Sequence, residues 1–185
     1  MRVEQLRKNF EIETKWTAFL LHPEAPEDGI SFEKLYAGQS VERERKLLRF
    51  KEVADELGLP LGERKNTYNS HLAHELAKWA ALNGKGDLFH DAVFRAYFVD
   101  SKNISKADEL VSLAKSVGLP ENEAKSVLES GTYQEAVDRD WARCHQLGVT
   151  GVPTFVTGQQ ATVGFQSYES LEQFLKACGA KKRKD

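Results

Sequence analysis

The chain has 185 residues and a mass of 20.9 kDa, with 41% hydrophobic and 29% charged residues, 5 Pro and 13 Gly. That is the length of one domain, or of one domain with a large insertion, and the composition excludes disordered, collagenous and low-complexity classes. The net charge is −2, and with Lys181, Lys182, Arg183 and Lys184 gathered at the end, the body is mildly acidic and has little counterion-release drive toward nucleic acid. No apolar run reaches the roughly 18 residues of a membrane span, and Met1 to Lys8 builds no signal-peptide core. The expectation is a cytoplasmic protein with neither nucleic acid nor membrane as partner. Cys144 and Cys178 are the two cysteines, and their separation excludes a disulfide framework or a cysteine-rich zinc site as the basis of the fold.

In chain order, Val3, Leu6 and Phe10 recur at helical spacing and read as the last two turns of a helix. From Glu11 to His22 the residues Ile12, Thr14, Trp16, Ala18 and Leu20 alternate with charged or hydroxyl neighbours, which predicts a strand ended by Pro23, Pro26 and Asp28-Gly29. Residues Ser31 to Leu147 read as a series of helices. Ser40 is the expected cap of the first, which stops at Gly58 with Pro60 beyond. Leu72, Leu76, Trp79, Ala80 and Leu82 form one stripe ended by Asn83-Gly84, and Gly86-Asp87 opens the next helix. Ser105 with Asp108 gives a capping-box-like start to a helix over 107–117, and two more follow at about 121–129 and 133–147. At Val149 the period changes: Thr154 to Thr157 and Ala161 to Gly164 around Gly158 predict a hairpin, and Ser167 caps a terminal helix carrying Leu171, Phe174 and Leu175.

Gly148-Val149-Thr150-Gly151-Val152-Pro153-Thr154-Phe155-Val156 is the most informative stretch. Only about 5 to 6% of X-Pro bonds in folded proteins are cis, so the residues alone favour a trans proline at a strand entry. The string nevertheless resembles the cis-proline loop of the thioredoxin superfamily, most closely its DsbA-like branch, in which helices interrupt the thioredoxin core. Trp16-Thr17-Ala18-Phe19 with the Pro-rich exit Leu21 to Glu27, the Asn69 to Ala80 stretch with His71 and His74, and Leu88 to Phe98 are similar to the same segments of the FrnE-type DsbA-like proteins. Each motif is of low specificity, and their order carries the resemblance. It implies an α/β fold: a DsbA-like, thioredoxin-like core, N-terminally truncated, over 1–30 and 149–179, a large all-helical insertion with a return helix over 31–148, and a basic tail over 180–185 that is expected to fray.

It also implies a departure. Redox-active members carry a first strand and then Cys-x-x-Cys at a helix N-terminus, where the thiolate is favoured. Met1 to Phe10 corresponds to the tail of that helix, and no Cys-x-x-Cys occurs in this sequence. The expected resolutions are a natural product beginning further upstream, a first strand supplied by a second chain, or closure of the remaining strands. The family implies thiol–disulfide oxidoreductase chemistry on protein or peptide thiols, with the chain as given expected to be redox-incompetent. The alternatives are a glutathione-dependent isomerase of the hydroxychromene-carboxylate type and a non-catalytic peptide-binding module. No cofactor is implied beyond glutathione as a small-thiol partner, and the exposed sheet edge suggests a homodimer.

The candidate substrate-binding residues are Gly151, Val152, Pro153 and Thr154, where a cis Pro153 would leave the Val152 backbone free to pair with an extended peptide. Cys144, between Arg143 and His145, is the weak catalytic candidate, since a neighbouring cation favours thiolate; the plainer reading is a small core residue, and Cys178 near the end of the last helix is weaker still. His71 and His74 stand three apart on one helix, but without a third ligand packing or capping is the expected role. His22 and His90 are expected at the surface, Trp79 in the core, and Glu42 to Lys46 on a solvated helix face.

Overall fold

A computed structural model describes residues 2–183, apart from the Ser40 side chain. The chain divides into two units, one of residues 1–21 with 140–185 and one of residues 22–139, so the boundaries fall at 21 and 139 where the sequence suggested 30 and 148.

The first unit opens with α1, Arg2–Asn9, whose Leu6 is buried, and Phe10 just beyond it is fully enclosed. Phe10 and Leu6 meet Leu171, with Ile12, Phe155 and Tyr168 around them, and this cluster is the core of the unit. Residues 11–21 bury Ala18 and Leu20 as the alternation predicts, yet they form no strand. Alternation reports only that side chains take opposite faces; a strand also needs a ladder partner. At Ala18 side chains replace one. Its N–H donates to Asp140 Oδ2 at 3.1 Å, and its carbonyl accepts from Cys144 Sγ at 3.8 Å. Trp16, expected to face inward, is 54% exposed.

In the second unit, β1 (Ile30–Ser31) pairs antiparallel with β2 (Asn66–Thr67), and α2 (Phe32–Leu35) is capped by Ser31. The helix α3, Ser40–Glu56, has Gln39 at its cap position; the expected Ser40 cap lies outside the described atoms. Then come α4 (His71–Leu82), α5 (Gly86–Phe98), α6 (Ala107–Ser116), α7 (Glu121–Ser130) and α8 (Gln134–Gln146), whose later residues belong to the first unit. Leu76, Phe89 and Leu110 are fully buried, Trp79 joins them as expected, and Ala80, Ala114 and Ala124 let the helices approach closely. Gly62 donates its N–H to the Phe98 carbonyl at 2.8 Å, and a Cβ there would collide with the Val99 carbonyl, so this crossing requires glycine. Ser105 is not a helix cap. Lys106 occupies that position, and the Ser105 hydroxyl is buried and donates to the Glu27 carbonyl at 2.6 Å instead.

Back in the first unit, β3 (Thr154–Thr157) and β4 (Gln160–Val163) form the expected hairpin, with Thr154 opposite Val163. The Ser167 hydroxyl caps α9, Tyr168–Ala177, by accepting from the Ser170 N–H at 3.1 Å. The basic tail is docked where fraying was expected. Glu11 N–H donates to the Lys181 carbonyl at 2.8 Å, Arg183 N–H to Asn9 at 2.9 Å, and Arg183 Nε to the Phe10 carbonyl at 3.0 Å. A cation beside the last carbonyls of α1 complements the helix dipole. Lys184 and Asp185 lie outside the described residues. Among those described, no helix is long and apolar enough to cross a membrane.

Candidate functional site

The sequence-predicted loop is built from both ends. α8 stops because Gly148 takes φ +70° and the Val149 N–H turns back to the Cys144 carbonyl at 2.9 Å, burying Val149. On the other side the Pro153 carbonyl accepts from Gly164 N–H at 2.8 Å, tying the loop to the far end of the hairpin. Between them the Thr154 hydroxyl donates to the Gly151 carbonyl at 2.6 Å, and the Val152–Pro153 bond is cis. Val152 stands out of this braced turn, 52% exposed, and neither its N–H nor its carbonyl has a hydrogen-bond partner among the described residues. It leads directly into β3, which pairs with β4 on one edge and with no other described strand. Gly151, Val152, Pro153 and Thr154 thus form one turn at the entry to β3.

Cys144 lies elsewhere, on α8, buried and hydrogen-bonded to Ala18. Burial pushes its thiol up, Asp140 pushes it further, and Arg143 opposes both. The cation has the expected sign, but desolvation and the carboxylate outweigh it, so Cys144 has the environment of an inert thiol. Cys178, at the end of α9, is half-buried, with its Sγ 3.4 Å from Gln160 Oε1.

A second polar constellation sits in the helical unit, and the sequence reading missed two of its three members. His71 Nδ1 lies 3.1 Å from Glu75 Oε1, and Nε2 lies 3.1 Å from Asp138 Oδ1. A neutral imidazole carries one N–H, so it donates to one of the two carboxylates, and the tautomer decides which. The Glu75 carboxyl is buried and its Oε2 has no hydrogen-bond partner. Burial pushes its pKa above the ordinary carboxylate range and Asp138 adds to this, while His71 acts in the opposite sense. Asn69 orients the start of the helix: its Oδ1 accepts from His71 N–H at 2.9 Å and its Nδ2 donates to the Pro23 carbonyl at 2.8 Å. His71 borders an open depression of about 500 Å³ that Glu27, Asn69, Leu72 and Ser105 also line. The one sequence signal was an acidic residue, Glu75, inside the apolar stripe of α4, four residues from a histidine.

Both His71 ring nitrogens are turned to carboxylates, of Glu75 and Asp138. No three His, Cys, Asp or Glu side chains gather in a metal-holding group among the described residues. His90, expected at the surface, is half-buried and stacked on Phe94 at 4.2 Å, and burial pushes its pKa down.

A helical block inserted between the parts of a small core that ends in a hairpin and a terminal helix is the arrangement of the DsbA-like thioredoxin fold. Comparison with known proteins agrees: the DSBA-like thioredoxin domain family matches residues 1–176, and the chain belongs to it. The Bacillus subtilis (strain 168) protein YwbO is 28% identical over 178 residues, which are 93% of this chain and 85% of YwbO. The crystal structure titled "probable DsbA oxidoreductase SCO1869" from Streptomyces coelicolor superposes with a TM-score of 0.84 at 26% identity, covering 96% of this chain and 82% of that one. A structure of 2-hydroxychromene-2-carboxylate isomerase shares the fold, with a TM-score of 0.74 at 19% identity over 96% of this chain and 85% of that one.

Proposed function

We propose that this chain serves FrnE-like thiol–disulfide exchange as the peptide-presenting part of the reaction and that its own two cysteines do not act as the exchanging pair. The observation that carries this is Val152: an exposed residue whose backbone donor and acceptor are both unpartnered among the described residues, at the mouth of a strand with one edge that no described strand pairs. An extended peptide adds to such an edge through main-chain hydrogen bonds, which bind without demanding a sequence. Gly151 leaves the approach clear of side-chain bulk, and Thr154 holds the turn closed. A dithiol exchange needs a thiolate and a resolving thiol in reach. Cys144 is buried and pushed toward the thiol form, and the sequence holds no Cys-x-x-Cys. Protein or peptide thiols are the partners of this reading, and Cys144 and Cys178 are not its exchanging pair.

The test has two parts. Insulin reduction by the purified chain with dithiothreitol should proceed at the rate of dithiothreitol alone. In a ¹⁵N–¹H titration with S-carboxymethylated insulin B chain, the amides of Val152 and of β3 should shift. Reduction above the baseline that Cys144→Ala abolishes would overturn the assignment of the cysteines, and an unchanged loop at millimolar peptide would overturn the assignment of the site. A glutathione-dependent isomerase would instead retain the chain on glutathione-agarose, and flow-through is expected.

A further inference from the structure

The helix α3 carries its charges in two populations. Glu42 pairs with Arg45 at 2.8 Å and with Lys46 at 3.6 Å, and Arg49 pairs with Glu52 at 3.4 Å, all within the helix. The side chains of Glu44 and Lys51, like those of Asp55 and Glu56, are exposed and make no ion pair or hydrogen bond among the described residues. Between them stand Leu47 and Leu48, 43% and 62% exposed, and these four residues line one shallow depression on the molecular surface.

Helix geometry gives the pattern a direction. At about 100° per residue Leu47 and Leu48 flank an arc in which Glu44 and Lys51 lie, so all four share one face about 100° wide. Glu44 precedes Leu47 by three residues and Lys51 follows Leu48 by three, which makes the face a charge palindrome about the midpoint of the leucine pair. A two-fold axis through that midpoint, with the helices antiparallel, sets Glu44 of each copy against Lys51 of the other and brings the leucines together at the axis. A parallel arrangement would oppose like charges. Isologous contacts of this kind require a self-complementary patch, and opposite-sign juxtaposition fixes register while like-charge juxtaposition is costly.

We infer that the Glu44–Leu47–Leu48–Lys51 face of α3 is a self-association surface whose occupant is the antiparallel α3 of a second copy of this chain. This goes beyond the proposed function, which rests on the other unit. One helix pair buries less than the 1,200 to 2,000 Å² of a standard interface, so the dimer is a weak one, formed at about 100 µM and dissociated at about 1 µM.

The experiment is sedimentation velocity over that concentration range on the full chain and on Glu44→Lys, Lys51→Glu and the doubly exchanged variant. Both positions are exposed and their side chains have no ion-pair partner among the described residues, and far-ultraviolet circular dichroism checks that each variant remains helical. Each single exchange is expected to weaken dimerisation at least tenfold. The double exchange restores it to within about threefold of the parent, and an equimolar mixture of the two single variants forms a heterodimer. A parent that stays monomeric at about 100 µM would overturn the inference. So would a dimer indifferent to all the exchanges, which would place the interface elsewhere, for example at the open edge of β3, and so would a double variant as weak as the singles.

Discussion

The Thr154 hydroxyl donates to the Gly151 carbonyl at 2.6 Å, so the turn that exposes Val152 is closed by a side chain of the strand it leads into. Only a hydroxyl on a β-branched or small side chain can make this bond from that position. Thr154→Val keeps the shape and removes the donor; it is expected to cost about 1 kcal/mol in urea unfolding and to weaken insulin B-chain binding, while Thr154→Ser retains binding. Equal binding by all three would show that the brace does not position Val152.

Glu75 gives a pH dependence of definite sign. Its carboxyl is pushed up in the folded chain, so the fold binds its proton more tightly than the unfolded chain does, and the associated stability is present at low pH and lost as pH rises through the folded value. Comparing urea midpoints of the parent and Glu75→Gln at pH 4 and pH 7.5 isolates this. The parent's advantage over the variant is expected to shrink with rising pH, and an advantage that grows would contradict the burial argument.

The two thiols should differ in reactivity. Cys144 is enclosed and held toward the protonated form, whereas Cys178 is half-buried at a helix end. With Ellman's reagent on native protein, one equivalent is expected to react promptly, with the second appearing on denaturation, and Cys178→Ser removes the prompt phase. Prompt loss of both would mean that the cover over Cys144 opens readily.

Gly62 admits no side chain. Gly62→Ala would drive a methyl into the Val99 carbonyl at the end of α5, with a cost of about 1 to 3 kcal/mol, the range for overpacking a close contact. A melting temperature unchanged from the parent would show that the loop moves aside freely.

The docked tail should be visible in hydrogen exchange. Glu11 and Arg183 amides, both hydrogen-bonded between segments 9–11 and 181–183, are expected to exchange together and more slowly than those of residues 13–17. Arg183→Ala, which removes the guanidinium from the Arg7 and Phe10 carbonyls, should speed both.

The helices and the hairpin were legible because their stops are local: Gly58, Gly84, Gly118, Gly131 and Gly148 all take positive φ at helix ends, and Ser167 caps α9 as its position suggests. The 11–22 segment showed in sequence that Ala18 and Leu20 would be buried and not that it lacks a strand partner, since its backbone contacts lie more than a hundred positions away, at Asp140 and Cys144. Ser105 has the residue type of a cap, but the Glu27 carbonyl, 78 positions earlier, claims its hydroxyl. For the candidate site, the loop at 151–154 showed itself through its own string, while the Glu75–His71–Asp138 trio joins two helices 67 positions apart and leaves only an acidic residue in an apolar stripe as its trace. The tail was misjudged because its partners are carbonyls of α1, which no side-chain pattern announces.

The division of the chain also sets an order of synthesis. The helical unit is continuous in sequence, 22–139, and each of its core contacts is available once α7 and the start of α8 have left the ribosome. The other unit is discontinuous. Leu6 and Phe10 find their cover in Leu171 and Tyr168, which follow them in sequence only after the whole helical unit. While the helical unit is being made the apolar face of α1 therefore waits uncovered, and it is this short amphipathic stretch that a nascent-chain chaperone would have to shield.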